Sequence, residues 1–300
     1  MNYRTIICVA GMLLTGLAFA LPAHSAGAKL LAVITGDEFT GMLDQPGAVF
    51  FDEEKERLYV ADTGNGRLVS FDSKLEYLSE LSDDAIKLPS AVVKTGGGIF
   101  ILVDAERAEL TLIDVKNELV EPFPLKGVPA GAERFVPGGL AVDTEDRLYV
   151  IDRLNRRILV VADDGSFIRE ITVEGEGFMG FNDVRVGADG FVYAVDSIAA
   201  MVYVFGGEGV LITSFGGRGG EGGLRFPVSL AVDGNGLIYV LDRHAGSIVV
   251  FDMGGRVVET LSWLGVKPGE LDHPTHIFVD VRGRLFTADG SRVQVFQKRE

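Results

Sequence analysis

Few side chains in this chain have the types and spacing for chemistry, and those few lie in its second half. Beyond residue 24 the histidines are His244, His273 and His276. A catalytic zinc takes about three protein ligands, and His273-x-x-His276 encloses Pro274, which disfavours the helix that would bring the pair together. No metal site is therefore expected, and His276 reads as a single histidine in a channel or on a surface. Asn182-Asp183 precedes Arg185, and a buried carboxylate so close to an arginine reads as an ion pair, because buried charges need partners. No G-x-S-x-G is present, and the one cysteine, Cys8, lies in the leader described below. Neither serine nor cysteine nucleophile chemistry is expected, and no cofactor. The glycine-rich run 216–223 leads into an apolar strand pattern, whereas a phosphate cradle leads into a helix N-terminus. Arg153, Arg156 and Arg243 remain without an obvious structural reason. With His244, Asp183, His276 and Trp263 they form the candidate binding set, since arginines among aromatics are the usual composition of interaction hot spots.

The elements that must position these residues come from a repeat. Six segments begin at Pro46, Pro89, Pro137, Asn182, Pro227 and Pro274, 43 to 48 residues apart. Each begins a short apolar strand, as in Pro46-Gly-Ala-Val-Phe-Phe-Asp52 and Pro227-Val-Ser-Leu-Ala-Val-Asp233. A second strand follows and ends in aspartate in all six, at Asp62, Asp104, Asp152, Asp196, Asp242 and Asp289. A short carboxylate at a strand end accepts backbone N–H bonds and fixes the loop after it, so these six are read as structural. β-Branched and aromatic strands with turn signals about every ten residues, repeating in the mid-forties, predict four-stranded propeller blades. The chain is expected to be all-β, a six-bladed propeller of antiparallel blades. The sixth repeat ends after its third strand, and the apolar segment 30–35 is expected to supply the fourth and close the ring, removing an exposed edge.

Blade five carries Ser214-Phe-Gly-Gly-Arg-Gly-Gly-Glu-Gly-Gly-Leu-Arg-Phe-Pro-Val-Ser-Leu-Ala-Val-Asp233. Blades one and three add Asp62-Thr-Gly-Asn-Gly-Arg67 and Asp152-Arg-Leu-Asn-Arg-Arg157. These residues resemble the NHL-repeat family over about residues 29–300. The resemblance implies the six-bladed fold and, most often in that family, protein binding. Some relatives bind ligands or are enzymes, so fold alone carries little chemistry. Propeller lyases acting on peptidyl-hydroxyglycine resemble the chain in outline, but place zinc histidines directly after the proline. Here that column reads Gly47, Ser90, Gly138, Asp183, Val228 and Thr275, and the next reads Ala48, Ala91, Gly139, Val184, Ser229 and His276.

Residues 1–25 read as a cleavable secretory signal. Arg4 is the only charge before Lys29, residues 6–21 are apolar, and small residues surround Ser25. Residues 26–300 are then the propeller, exported to the periplasm or outside the cell, with no stable membrane insertion. The chain's net charge is −15, and loss of Arg4 leaves −16. Such an acid balance argues against nucleic acid, which lysine and arginine must neutralise. The expected partner is a protein or peptide of the cell envelope, gripped by the loop face. The alternative is a channel-centred, metal-dependent hydrolase or lyase of the lactonase or amidating-lyase kind, built on Asp183 and His276.

Overall fold

In the computed structural model, residues 27–37, 39–129, 134–220, 222–262 and 264–298 are described. Residues 1–25, read above as a signal, and Trp263 lie outside them. Six four-stranded antiparallel sheets follow one another along the chain, and a two-residue-per-strand hairpin (Gly36–Asp37 with Gly41–Met42) precedes the first. No α-helix occurs among the described residues. Blade three is representative: Pro137–Val142 is innermost, then Leu148–Asp152, Arg157–Val161 and Phe167–Ile171.

The two middle strands of each blade are packed on both faces, which is why they read as continuous apolar runs instead of alternating ones. Leu148–Asp152, Val192–Asp196 and Ile238–Asp242 are buried at every residue. Six apolar clusters result among the described residues, each lying between two neighbouring blades. Tyr149, Ile151 and Ile158 of blade three, for instance, pack on Val184, Val192 and Phe205 of blade four.

The ring closes as the sequence predicts. Ala28–Ile34 lies antiparallel to Arg292–Lys298 and completes blade six, pairing Ala28 with Lys298 and Ile34 with Val293. The closing strand starts two residues earlier than the apolar segment indicated.

The six closing aspartates are fully buried and pin the loops that enter each blade. Asp62 accepts the amide of Asp44 at 2.7 Å, Asp104 that of Lys87 at 2.7 Å and Asp196 that of Met179 at 2.7 Å. In blades one and three the same carboxylate also holds the loop's asparagine and arginine: Asn65 and Arg67 on Asp62, Asn155 and Arg157 on Asp152. The sequence motif is thus a loop clamp.

Candidate functional site at the channel mouth

Strand pairing corrects one column of the sequence alignment. In blade four Asp183 pairs with Val195, the residue before the closing aspartate. Ala48, Ala91, Ser229 and His276 hold that same position opposite Ala61, Val103, Leu241 and Ala288. Asp183 therefore belongs with Ser229 and His276, not one residue earlier. Phe181, not Asn182, stands where the other blades have proline. It is buried and packs edge-on against Tyr203 and Phe205. An aromatic ring fills the place that proline fills elsewhere, and a search for proline could not find it.

With the register corrected, blades four, five and six present Asp183, Ser229 and His276 in one layer of the channel wall. The innermost strand of each blade is a sheet edge, so its outward N–H groups need acceptors. The layer supplies them. Asp183 accepts from the amide of Leu230 in blade five at 3.1 Å. Ser229 accepts from Ile277 in blade six at 3.1 Å, and His276 Nδ1 accepts from Val49 in blade one at 3.3 Å. One rule repeats three times: the layer side chain takes the N–H one position further along in the next blade. Ser229 Oγ also donates to Asp183 at 2.6 Å.

Arg185 stands two residues beyond Asp183. Its Nη1 makes the expected ion pair with Asp183 Oδ1 at 2.8 Å. Its Nη2 reaches past blade five to the Nε2 of His276. A guanidinium thus occupies the space between Asp183 and His276, the two residues that the metal-dependent alternative needs to share a cation. Among the described residues no group of three or more His, Cys, Asp or Glu is arranged to hold a metal ion. Burial and the neighbouring Arg185 charge push the His276 imidazolium down to about 3, against a weaker opposing effect of Asp183. Both ring nitrogens face N–H donors and the neutral ring can accept at only one of them, so a second ring proton would add another donor with no acceptor.

Above this layer lie the residues that follow the closing aspartates: Thr63, Ala105, Arg153, Ser197, Arg243 and Gly290. In four of them the amide donates to the carbonyl just before the blade's proline, as Arg153 does to Val136 at 2.9 Å and Arg243 to Phe226 at 3.1 Å. This bond fixes the loop against the mouth of the channel. The Arg153 side chain then folds over Gly138, where a Cβ would meet its Nε at 2.7 Å. Arg153 makes no side-chain hydrogen bond or ion pair. The protein around its guanidinium lowers its pKa by burial, offset in part by Asp183. Arg243 uses only Nε, donating to the Pro274 carbonyl of blade six at 2.9 Å, and burial lowers its pKa too.

Of the other candidates, Arg156 is exposed, with a positive φ of 52°, and its guanidinium touches the Phe178 carbonyl at 3.5 Å. His244 is exposed and stacks on Phe226 at 4.7 Å. Asp183 and His276 lie deeper, in the wall layer. The structure separates the candidates into an engaged channel network and a less engaged mouth. Ser197 carried no sequence signal. Its hydroxyl is buried without a hydrogen-bond partner.

A model of the NHL repeat matches residues 224–251, which contain the first three strands of blade five. No curated protein matches the sequence. A solved streptogramin B lyase is similar in structure, with a TM-score of 0.65 and 11% identity, over 91% of this chain and 98% of that one. Virginiamycin B lyase from Staphylococcus aureus is similar too, with a TM-score of 0.61 and 11% identity over 90% of this chain and 99% of that one. Its catalytically inactive variant with quinupristin gives 0.62, again at 11%, over 90% and 98%. At this identity the likeness is one of fold.

Proposed function

We propose that this NHL-repeat propeller is an exported binding module that grips a protein or peptide of the cell envelope through the channel-mouth loops of blades three to five. One observation carries the reading. In a chain of net charge −15, the mouth holds guanidinium groups that no carboxylate neutralises. Several arginines set into the blade strands are paired: Arg67 with Asp62 at 2.7 Å, Arg157 with Asp152 at 3.1 Å, Arg284 with Asp280 at 2.6 Å and Arg292 with Asp289 at 2.8 Å. Arg153, exposed at the mouth, is left without a carboxylate, and an open arginine beside uncovered apolar side chains is the usual composition of an interaction site.

The test is capture and cross-linking from an envelope fraction with the wild-type protein and with Arg153→Glu, Arg156→Glu and Arg243→Glu combined. Charge reversal is expected to abolish cross-links that map to the mouth loops while the protein stays folded, with at most a small fall in melting temperature from the lost Arg243–Pro274 bond. Undiminished cross-linking at the mouth would remove the reading.

A channel-centred lyase has one point in its favour: His276 and Asp183 share a wall layer, and structures of similar fold are lyases. Against it, both side chains already cap the inner edge of the next blade and both contact Arg185. Metal analysis with and without added zinc or calcium separates the readings. Stoichiometric binding lost in Asp183→Asn would favour the lyase.

A further inference from the structure

Around the mouth, the two residues after each closing aspartate differ between the halves of the ring. Blades six, one and two carry Gly290-Ser291, Thr63-Gly64 and Ala105-Glu106. Blades three, four and five carry Arg153-Leu154, Ser197-Ile198 and Arg243-His244. The second residue in this half is exposed and apolar or aromatic: Leu154 is 52% exposed and Ile198 53%, and His244 lies on Phe226. Met179, on the loop entering blade four, is 50% exposed beside them in the repeat.

The first residues of the three loops are all donors, and each is incompletely used. Arg153 has no side-chain partner. Arg243 holds one carbonyl through Nε and leaves both terminal nitrogens without a bond. Ser197 is 3% exposed and its hydroxyl has no partner at all. In blade one the equivalent Thr63 satisfies its hydroxyl on the Pro89 carbonyl of the next blade at 2.6 Å. In blade four that duty has moved to Asn182, whose amide donates to the Val228 carbonyl at 3.0 Å. Ser197 is therefore released from the interblade latch. The carboxylates nearest this arc are already engaged: Asp183 by Arg185, Ser229 and the Leu230 amide, and Asp196 by the amides of Met179, Ile198 and Ala199. The mouth over blade four thus combines unpaired donors with uncovered apolar groups.

We infer that the arc Arg153–Ser197–Arg243 is a binding site for a carboxylate carried beside an apolar group. The carboxylate is acceptor-only and matches two guanidinium groups and a hydroxyl. The apolar neighbour covers Leu154, Ile198 and Met179. This deepens the binding-module reading and rests on it for the peptide source of the carboxylate. A free amphiphilic acid offers the same chemistry.

The experiment follows the arginine Nε–Hε resonances of the full, signal-cleaved protein. Three probes are titrated: acetyl-Leu-Glu-Leu-amide, its Gln counterpart and 3-phenylpropionate. Arg153→Met and Arg243→Met assign the two signals and test them. Arg153→Lys and Arg243→Lys serve if the methionine variants fail to fold. Saturable shifts at Arg153 and Arg243 with the Glu peptide, absent with its Gln twin, support the site. Response to phenylpropionate alone supports the site and counts against the peptide reading. Each methionine variant is expected to weaken binding by about tenfold or more, as loss of a charge-assisted hydrogen bond should. Ser197→Ala is expected to weaken it about threefold. Equal binding of the Glu and Gln peptides overturns the inference and leaves the binding module standing. So does undiminished binding in the two methionine variants. Silence with both acids overturns it as well.

Discussion

Replacing Asp183 by alanine is the sharpest test of the channel network. Asp183 is 4% exposed and accepts from Arg185, Ser229 and the amides of Val184 and Leu230. Its loss leaves the largely buried Arg185 guanidinium without a counter-charge. Breaking a buried pair from one side typically costs about 3–5 kcal/mol. At roughly 2–4 °C per kcal/mol for a domain of this order of size, the melting temperature should fall by roughly 6–20 °C. Arg185→Met should cost less, about 1.5–3 kcal/mol, because Asp183 keeps a hydroxyl and two amides. The double variant Asp183→Ala/Arg185→Met leaves no unpaired charge and should recover much of the single loss, giving a coupling of about 1–3 kcal/mol. Urea unfolding at neutral pH, followed by fluorescence and circular dichroism together, measures all four corners of the cycle. If the two single losses add to within about 0.5 kcal/mol, Asp183 and Arg185 act independently. The network would then be a set of separate contacts.

Three further outcomes follow from the same structure. His276 has its pKa pushed down to about 3 from an ordinary 6.5, so the unfolded chain binds a proton in that window which the folded chain refuses. Stability should fall as pH drops from about 6.5 towards 3, by up to about 1.4 kcal/mol per pH unit from this ring. His276→Asn should flatten that part of the profile in urea melts between pH 7 and 4. Gly139 packs against Asp183, and a Cβ there would meet Asp183 Oδ1 at 3.0 Å and Ile151 Cδ1 at 3.1 Å. Gly139→Ala should cost about 1–3 kcal/mol by overpacking, read as a lower urea midpoint, and only part of that cost should be relieved in the Asp183→Ala background, because Ile151 Cδ1 and the Asp183 Cα at 3.2 Å remain. Deleting residues 27–34 removes the strand paired with Arg292–Lys298 and opens the ring at blade six. The melting temperature should fall sharply and aggregation should rise as that edge is exposed; an unchanged melt would show that closure contributes nothing.

The repeat made the ring legible in the sequence, because propeller strands are buried on both faces and their apolar runs recur at a fixed spacing. The closing strand was legible from a deficit, since the sixth repeat lacked a strand and the apolar segment 30–35 had no partner. The Asp183–Arg185 pair followed from the cost of burying charge. The site layer was not legible in blade four. Proline marked the register in five blades, and its absence put Asp183 one position too early. Phe181 fills the proline's place by packing, and packing leaves no mark that a turn residue would. Ser197 was invisible for another reason. A serine after a closing aspartate is unremarkable until the structure gives its hydroxyl no acceptor.

The divergent blade is also the one around which the candidate residues gather, and the two facts have one physical origin. In the position after the proline, Thr275 of blade six donates to the Pro46 carbonyl of blade one at 2.8 Å, and in blade four Asn182 makes the corresponding latch to the next blade. That leaves Ser197 without a task and lets the neighbouring Asp183 enter the channel wall beside Ser229. Asp183 holds Arg185, and Arg185 fills the space towards His276. The wall is then internally satisfied, while the loops above it are not. A repeat that built six equivalent blades would close every donor on the same acceptors. Selectivity at the mouth requires that one blade break the pattern, and the unpaired Arg153 and Ser197 stand on that blade and on the one before it. Placing the blade-one latch in blade four with Ser197→Thr tests this directly. If the longer side chain reaches a carbonyl of blade five as Thr63 reaches Pro89, stability should rise by about 0.5–1.5 kcal/mol and capture of the carboxylate probe should weaken. A rise in stability with probe binding untouched would separate the broken latch from the site.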